Sequence, residues 1–106
     1  MTEYIQVITT TNTEEEARKI QRLLVEERAA ACVQIIGPIS SLYWWEGKIE
    51  EAGEWICLAK AKSEDYQRIE SLIKENHPYS VPEILAIPVS AGNEDYLAWI
   101  SEVTSA

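Results

Sequence analysis

His77 is the one imidazole in the chain, and it stands in Asn76-His77-Pro78-Tyr79, so any chemistry that needs a ring nitrogen near neutral pH must use it. As a neutral ring it can ligate copper or zinc. The same position has a structural use, because an imidazolium near a helix C-terminus meets the negative end of the helix dipole while Pro78 stops the helix. Cys32 and Cys57 lie far apart with no C-x-x-C pairing, which fits buried, reduced core thiols better than a disulfide framework or a zinc knuckle. Cys32 is the second metal candidate beside His77. It can also serve His77 as a nucleophile serves its base, on the condition that the fold brings the two together. Glu46, Glu50, Glu51 and Glu54 crowd one turn, a run that reads as a solvated, mutually repelling face with diffuse attraction for cations. No G-x-S-x-G elbow, Walker loop or H-E-x-x-H pattern is present, so the chain reads as a non-enzyme.

The remaining chemistry-bearing residues are aromatic. Four tryptophans occur in 106 residues, two of them adjacent at Trp44-Trp45, and neighbours on a strand point to opposite faces of the sheet. One of the pair is expected to enter the core and the other to need a different cover. Tyr43, Trp44 and Trp45 can line a pocket or stack on bases. With 18 acidic against 9 basic side chains and a formal net charge of -9, nucleic acid and anionic lipid are poor partners, since both demand a basic patch. A subunit interface, where aromatic residues are enriched, is the preferred destination. The longest stretch without formal charge, Ala29 to Trp45, carries Gln, Gly, Pro and Ser and falls short of the ~20 apolar residues that span a bilayer. No basic n-region with an apolar h-region follows Met1, so a cytoplasmic location is expected.

The elements that must position these residues follow from period and punctuation. Tyr4 to Thr10 is β-branched and aromatic, a strand. Thr13 with Glu16 forms a capping box, and Ala17, Ile20, Leu23, Leu24 and Ala31 trace the apolar stripe of a helix running to about Arg28 or Ala30. Cys32 to Trp45 reads as one long strand with a bulge at Gly37-Pro38, and Glu46-Gly47-Lys48 as a tight turn. Beyond a charged stretch, Glu54 to Lys62 is the hairpin partner. Ser63 offers a cap for a second helix with Tyr66, Ile69, Leu72 and Ile73 inward. Glu83 to Val89 is a strand that Pro88 consigns to an edge or a bulge, and Asn93 caps a short last helix. The order β-α-β-β-α-β-α over residues 1–106 describes a single α+β domain, a ferredoxin-like βαββαβ sandwich with an extra C-terminal helix and a long β-hairpin.

Ser41-Leu42-Tyr43-Trp44-Trp45-Glu46-Gly47-Lys48 and His77-Pro78-Tyr79-Ser80-Val81-Pro82-Glu83 resemble the CutA family of divalent-cation tolerance proteins. The resemblance extends through Ala30-Ala31-Cys32-Val33, Lys60, Pro88 and Gly92 to Ile100, nearly the whole chain. It implies a tight homotrimer built through long strands, with Trp44, Trp45 and Pro88 at the interface, and a non-enzymatic role in tolerance to copper and other divalent metals. It also implies copper as the bound metal. In some members the copper ligands look to be a Cys on the first strand and a His-His pair, where this chain has Thr9 and Asn76-His77. That substitution leaves a weaker and less selective donor set. A second reading rests on likeness to the trimeric PII signalling proteins: a ligand-sensing module with a cleft between subunits at Trp45, Lys60, Tyr79 and Glu83, taking a small anion or metabolite.

Overall fold

Ile5, Val7, Thr9 and Thr11 are buried while Tyr4, Gln6 and Ile8 are half-exposed, the period of two that a strand with one better-covered face must show. The computed structural model describes residues 3–105 and places them in β1 (Tyr4–Thr11), α1 (Glu14–Glu26), β2 (Cys32–Trp45), β3 (Lys48–Lys62), α2 (Tyr66–Asn76), β4 (Ile84–Pro88) and α3 (Glu94–Thr104). The four strands form one antiparallel sheet in the order β2-β3-β1-β4, which is the ferredoxin-like arrangement. Ile20 and Leu24 of α1 and Ile69 and Ile73 of α2 fill one core with Val7, Cys57, Ala59 and Ala61 of the sheet. α3 lies across the sheet from these two helices, where Ser101 Oγ and Tyr4 Oη share a hydrogen bond of 2.6 Å.

Thr13 Oγ1 accepts the Glu16 amide at 3.1 Å, the hydroxyl half of the expected capping box. α1 ends at Glu26, short of Arg28 or Ala30. Arg28 adopts a left-handed φ of 56°, and the amides of Ala29 and Ala30 turn back to the Leu24 carbonyl at 3.0 and 3.1 Å. This reversal carries two small side chains into the core, where a continuing helix would have carried them along its axis.

β3 begins at Lys48, not at Glu54, so the charged stretch is strand as well. Glu46 and Gly47 both have positive φ, 50° and 78°, the signature of a type I′ turn whose twist matches its strands and pins Trp45 opposite Lys48. Pairing continues to Ile39 opposite Glu54, and the register shifts between Ile36 and Ile39, across the cis Gly37-Pro38 bond. A Cβ at Gly37 would run into the Trp55 indole, so the bulge is where a glycine lets β2 pass a large ring. Trp55 is the tryptophan that packs on the core. Trp44 and Trp45 both stay outside it, contrary to the expectation that one would enter.

α2 is entered through a 3-10 turn, Ser63–Asp65, in place of a simple Ser63 cap. β4 is the edge strand expected for Pro88. Among the described residues no helix is long and apolar enough to cross a membrane.

Cys57 is the core thiol: it is buried, its Sγ donates to the Ala17 carbonyl at 3.6 Å, and burial pushes its pKa up from 9.0 to about 11. Cys32 is not a core residue. It opens β2 on the other face of the sheet, half-exposed, with Sγ 3.9 Å from Tyr96 Oη. Titration of the native protein with a thiol reagent near neutral pH is therefore expected to modify Cys32 first and Cys57 slowly. The unfolded Cys57 thiol ionises near 9 and the folded one near 11, so the protein loses stability as pH rises from about 9 and the loss levels beyond about 11. A denaturation series across that window, compared with Cys57→Ala, checks the sign.

Candidate ligand cleft and its neighbours

The hydrogen bonds of His77 account for both ring nitrogens. The Tyr79 amide donates to Nδ1 at 3.1 Å, so Nε2 carries the proton and donates it to the Thr10 carbonyl at 2.7 Å. α2 ends at Asn76 and His77 is already extended, with φ −93° and ψ 138°, as the residue before a proline must be. The ring therefore ties the loop after α2 to the end of β1, and its centroid lies 4.8 Å from that of Tyr79. Neither nitrogen is free to ligate in this arrangement.

What His77 braces is the wall of a cleft of about 350 Å³, within the ~300–1,000 Å³ usual for small-molecule sites. Three elements converge on it: the hairpin supplies Tyr43, Trp45 and Glu54, the end of β1 supplies Thr10, and the loop before β4 supplies Tyr79, Ser80, Val81 and Glu83. Strand alternation explains the hairpin's contribution, since Tyr43 and Trp45 share one face while Leu42 and Trp44 share the other. The Tyr79 hydroxyl donates to Glu54 Oε2 at 2.6 Å. Burial first, and the neighbouring Glu54 carboxylate second, push the Tyr79 phenol well above its ordinary range, so it remains a donor at any ordinary pH.

Of the cleft residues expected from sequence, Trp45, Tyr79 and Glu83 come together, and Lys60 does not. Lys60 is opposite Gln6 and Cys32 in the ladder, and its Nζ donates to Gln34 Oε1. Thr10 pairs with Ile56, four residues along β3, roughly 13 Å at about 3.3 Å per residue. The same separation parts Cys32 from His77, so the two form neither a nucleophile-base pair nor a joint metal site. Trp44 projects from the far face of the hairpin, and Pro88 sits opposite Ile5 at the other end of β4 from Glu83.

Glu54 and Thr10 are cleft residues that sequence reading did not single out as such, whereas Tyr43 lines the cleft as its aromatic motif allowed. The signal for Glu54 was its phase: it shares a face with Ile56 and Leu58, whereas Glu46, Glu50 and Glu51 lie on the exposed part of the hairpin.

The donors of one chain do not fit a resident copper ion. Among the described residues no three His, Cys, Asp or Glu side chains are grouped so as to hold a metal. Thr9, which stands where a softer ligand would be wanted, is buried in the core with its hydroxyl unpartnered among the described residues. Calorimetric titration with copper is expected to give the same affinity for wild type and His77→Ala. A loss of copper binding in the variant, with assembly intact, would show that the ring leaves its two hydrogen bonds to ligate.

An antiparallel four-stranded sheet with three helices, a projecting hairpin and an aromatic, acidic cleft at its base defines a small ferredoxin-like α+β protein. Residues 5–103 match the family model described as "CutA1 divalent ion tolerance protein", and the chain belongs to that family. It is 43% identical over 98 residues to the divalent-cation tolerance protein CutA of Thermus thermophilus, covering 92% of this chain and 95% of that one. A CutA homolog of Danio rerio is 40% identical over 93 residues, covering 88% of this chain and 62% of the longer fish protein. Among solved structures, the periplasmic divalent cation tolerance protein CutA of Archaeoglobus fulgidus superposes with a TM-score of 0.94 at 39% identity, over 96% of this chain and 99% of that one. These names describe tolerance proteins and not an enzymatic activity.

Proposed function

We propose that this chain acts as a homotrimeric divalent-cation tolerance protein whose contact with copper and other divalent ions is made by exposed carboxylates and by donors gathered between copies. The observation that carries the assembly is the outer face of the sheet. Ile36, Leu85 and Ile87 are exposed there beside the half-buried Ile8, Ile56 and Leu58, and Leu42, Trp44 and Ile49 are exposed on the hairpin beyond it. Apolar patches of this kind mark surfaces that a partner covers. Among the described residues, the hairpin from Ile39 to Glu54 pairs with itself and with no third strand, so its outer edges are open to a neighbouring chain. The net charge of -9 and the exposed Glu46, Glu50 and Glu51 support cation attraction. Light scattering on a chromatography column is expected to give three times the 12.0 kDa of one chain. The mass of one chain would end this reading.

The cleft favours a second reading, a PII-like ligand-sensing module. Its walls are built by elements distant in sequence, and His77 fixes their spacing. A thermal-shift series against metal salts and small organic ligands separates the two, since a ligand that prefers the folded state raises its melting point.

A further inference from the structure

Glu54 is a carboxylate only 7% exposed, and its hydrogen-bond partner is the neutral hydroxyl of Tyr79. Among the described residues, no Lys or Arg is paired with Glu54 or with the second cleft carboxylate, Glu83; every ion pair lies elsewhere. Buried carboxylates are nearly always matched by a cation. Among the described residues of one chain the matching charge is absent, and the carboxylate faces a cavity.

We propose that this cleft binds a small organic ammonium ion, an alkylamine or a quaternary amine; the inference rests on the ligand-sensing reading and names its ligand class. Three features select that chemistry over the alternatives. Tyr43, Trp45 and Tyr79 put three aromatic rings around the space, with Tyr43 and Trp45 partly exposed so that ring surface is available, and ring faces attract ammonium groups electrostatically. A bare or hydrated divalent metal gains little from such walls and wants more oxygen donors than two carboxylates. A phosphate or carboxylate ligand meets Glu54 and Glu83 with no basic side chain in the part of the lining that one chain supplies, so the small anion expected from sequence is disfavoured once this chain's Lys60 is placed elsewhere. The chain's excess of acidic groups raises the local concentration of any cation.

The test is calorimetry on the full-length native assembly with four probes: tetramethylammonium, choline, the carbon isostere of choline in which a quaternary carbon replaces the nitrogen, and ATP. Both ammonium ions are expected to bind, and the uncharged isostere to bind about tenfold more weakly or less. Glu54→Gln keeps an acceptor for the Tyr79 hydroxyl and removes the charge, so it is expected to weaken choline about tenfold. Glu83→Gln, at an exposed position, and Trp45→Leu are expected to weaken it severalfold, and supply the same evidence if Glu54→Gln is poorly folded. Equal binding of choline and its isostere overturns the proposal, as does unchanged choline affinity in well-folded Glu54→Gln and Trp45→Leu. If ATP binds and the ammonium ions do not, the choice of ligand class fails and the ligand-sensing reading survives. If none of the four probes binds, both fail.

Discussion

A variant with lysine at both Leu85 and Ile87 is expected to elute as a 12.0 kDa single chain, and wild type as the proposed three. The two side chains are exposed on the outer face of the sheet, on β4, and point away from α1 and α2. Covering an aliphatic side chain of this size contributes about 1.5–3 kcal/mol, and two are lost in every subunit. The larger cost is the charge, because an unpaired ammonium enclosed in an interface is unfavourable by several kcal/mol, and rotational symmetry repeats that cost at each of the three proposed contacts. The fold of one chain has no need of either side chain, so circular dichroism should remain near wild type. If the variant keeps the mass of three chains, the outer face is not the contact surface, and the hairpin alone must carry assembly.

Leu24→Ala is expected to destabilise the protein by about 2–5 kcal/mol, the usual cost of emptying a fully enclosed aliphatic site. Leu24 has no exposed surface, and its carbonyl receives the amides of both Ala29 and Ala30. The chain reversal that follows α1 is thus locked to the residue being truncated, which limits how far the site can collapse around the void. Denaturant unfolding measured at one protein concentration checks the figure, since association shifts apparent stability. A loss below about 1 kcal/mol would mean that α1 repacks freely over the sheet.

The element order was legible because each boundary is marked by a residue with a single use: Thr13 and Asn93 as caps, Gly37-Pro38 as the bulge, Gly47 in the turn and Pro88 at the edge. What escaped was set by tertiary contact. The segment Lys48 to Gly53 is charged and small, and becomes strand because a type I′ turn delivers it to β2 in register. The end of α1 escaped because Ala29 and Ala30 are good helix formers that leave the helix to fill space beneath it. Cys32 reads as a core thiol from sequence and is not one, because strand composition does not say which face a residue joins when the strand starts at a corner. The cleft was half legible. Trp45, Tyr79 and Glu83 come from short, unusual motifs, whereas Glu54 was hidden in a run of carboxylates, and Lys60 is displaced by a distance along the ladder that only the register reveals.

Pro88 also bears on the size of particle this chain can build. The Val89 amide donates to the Tyr4 carbonyl, and strand amides alternate sides, so the nitrogen at position 88 faces away from the sheet, toward its free rim. That rim is five residues long, and one of its outward donors has been replaced by a ring carbon. An incoming strand can satisfy itself against Ile84 and Ala86 and then meets a blocked position, which rules out sliding by two residues to extend the pairing. Head-to-tail contacts between identical chains close into rings when the repeated rotation brings the last chain back to the first, and grow into helical fibres when it does not. By holding an incoming strand to one register, a proline at this point excludes the slipped pairings that would give the proposed trimer contacts of unequal geometry, a condition for every contact in a closed ring to be the same.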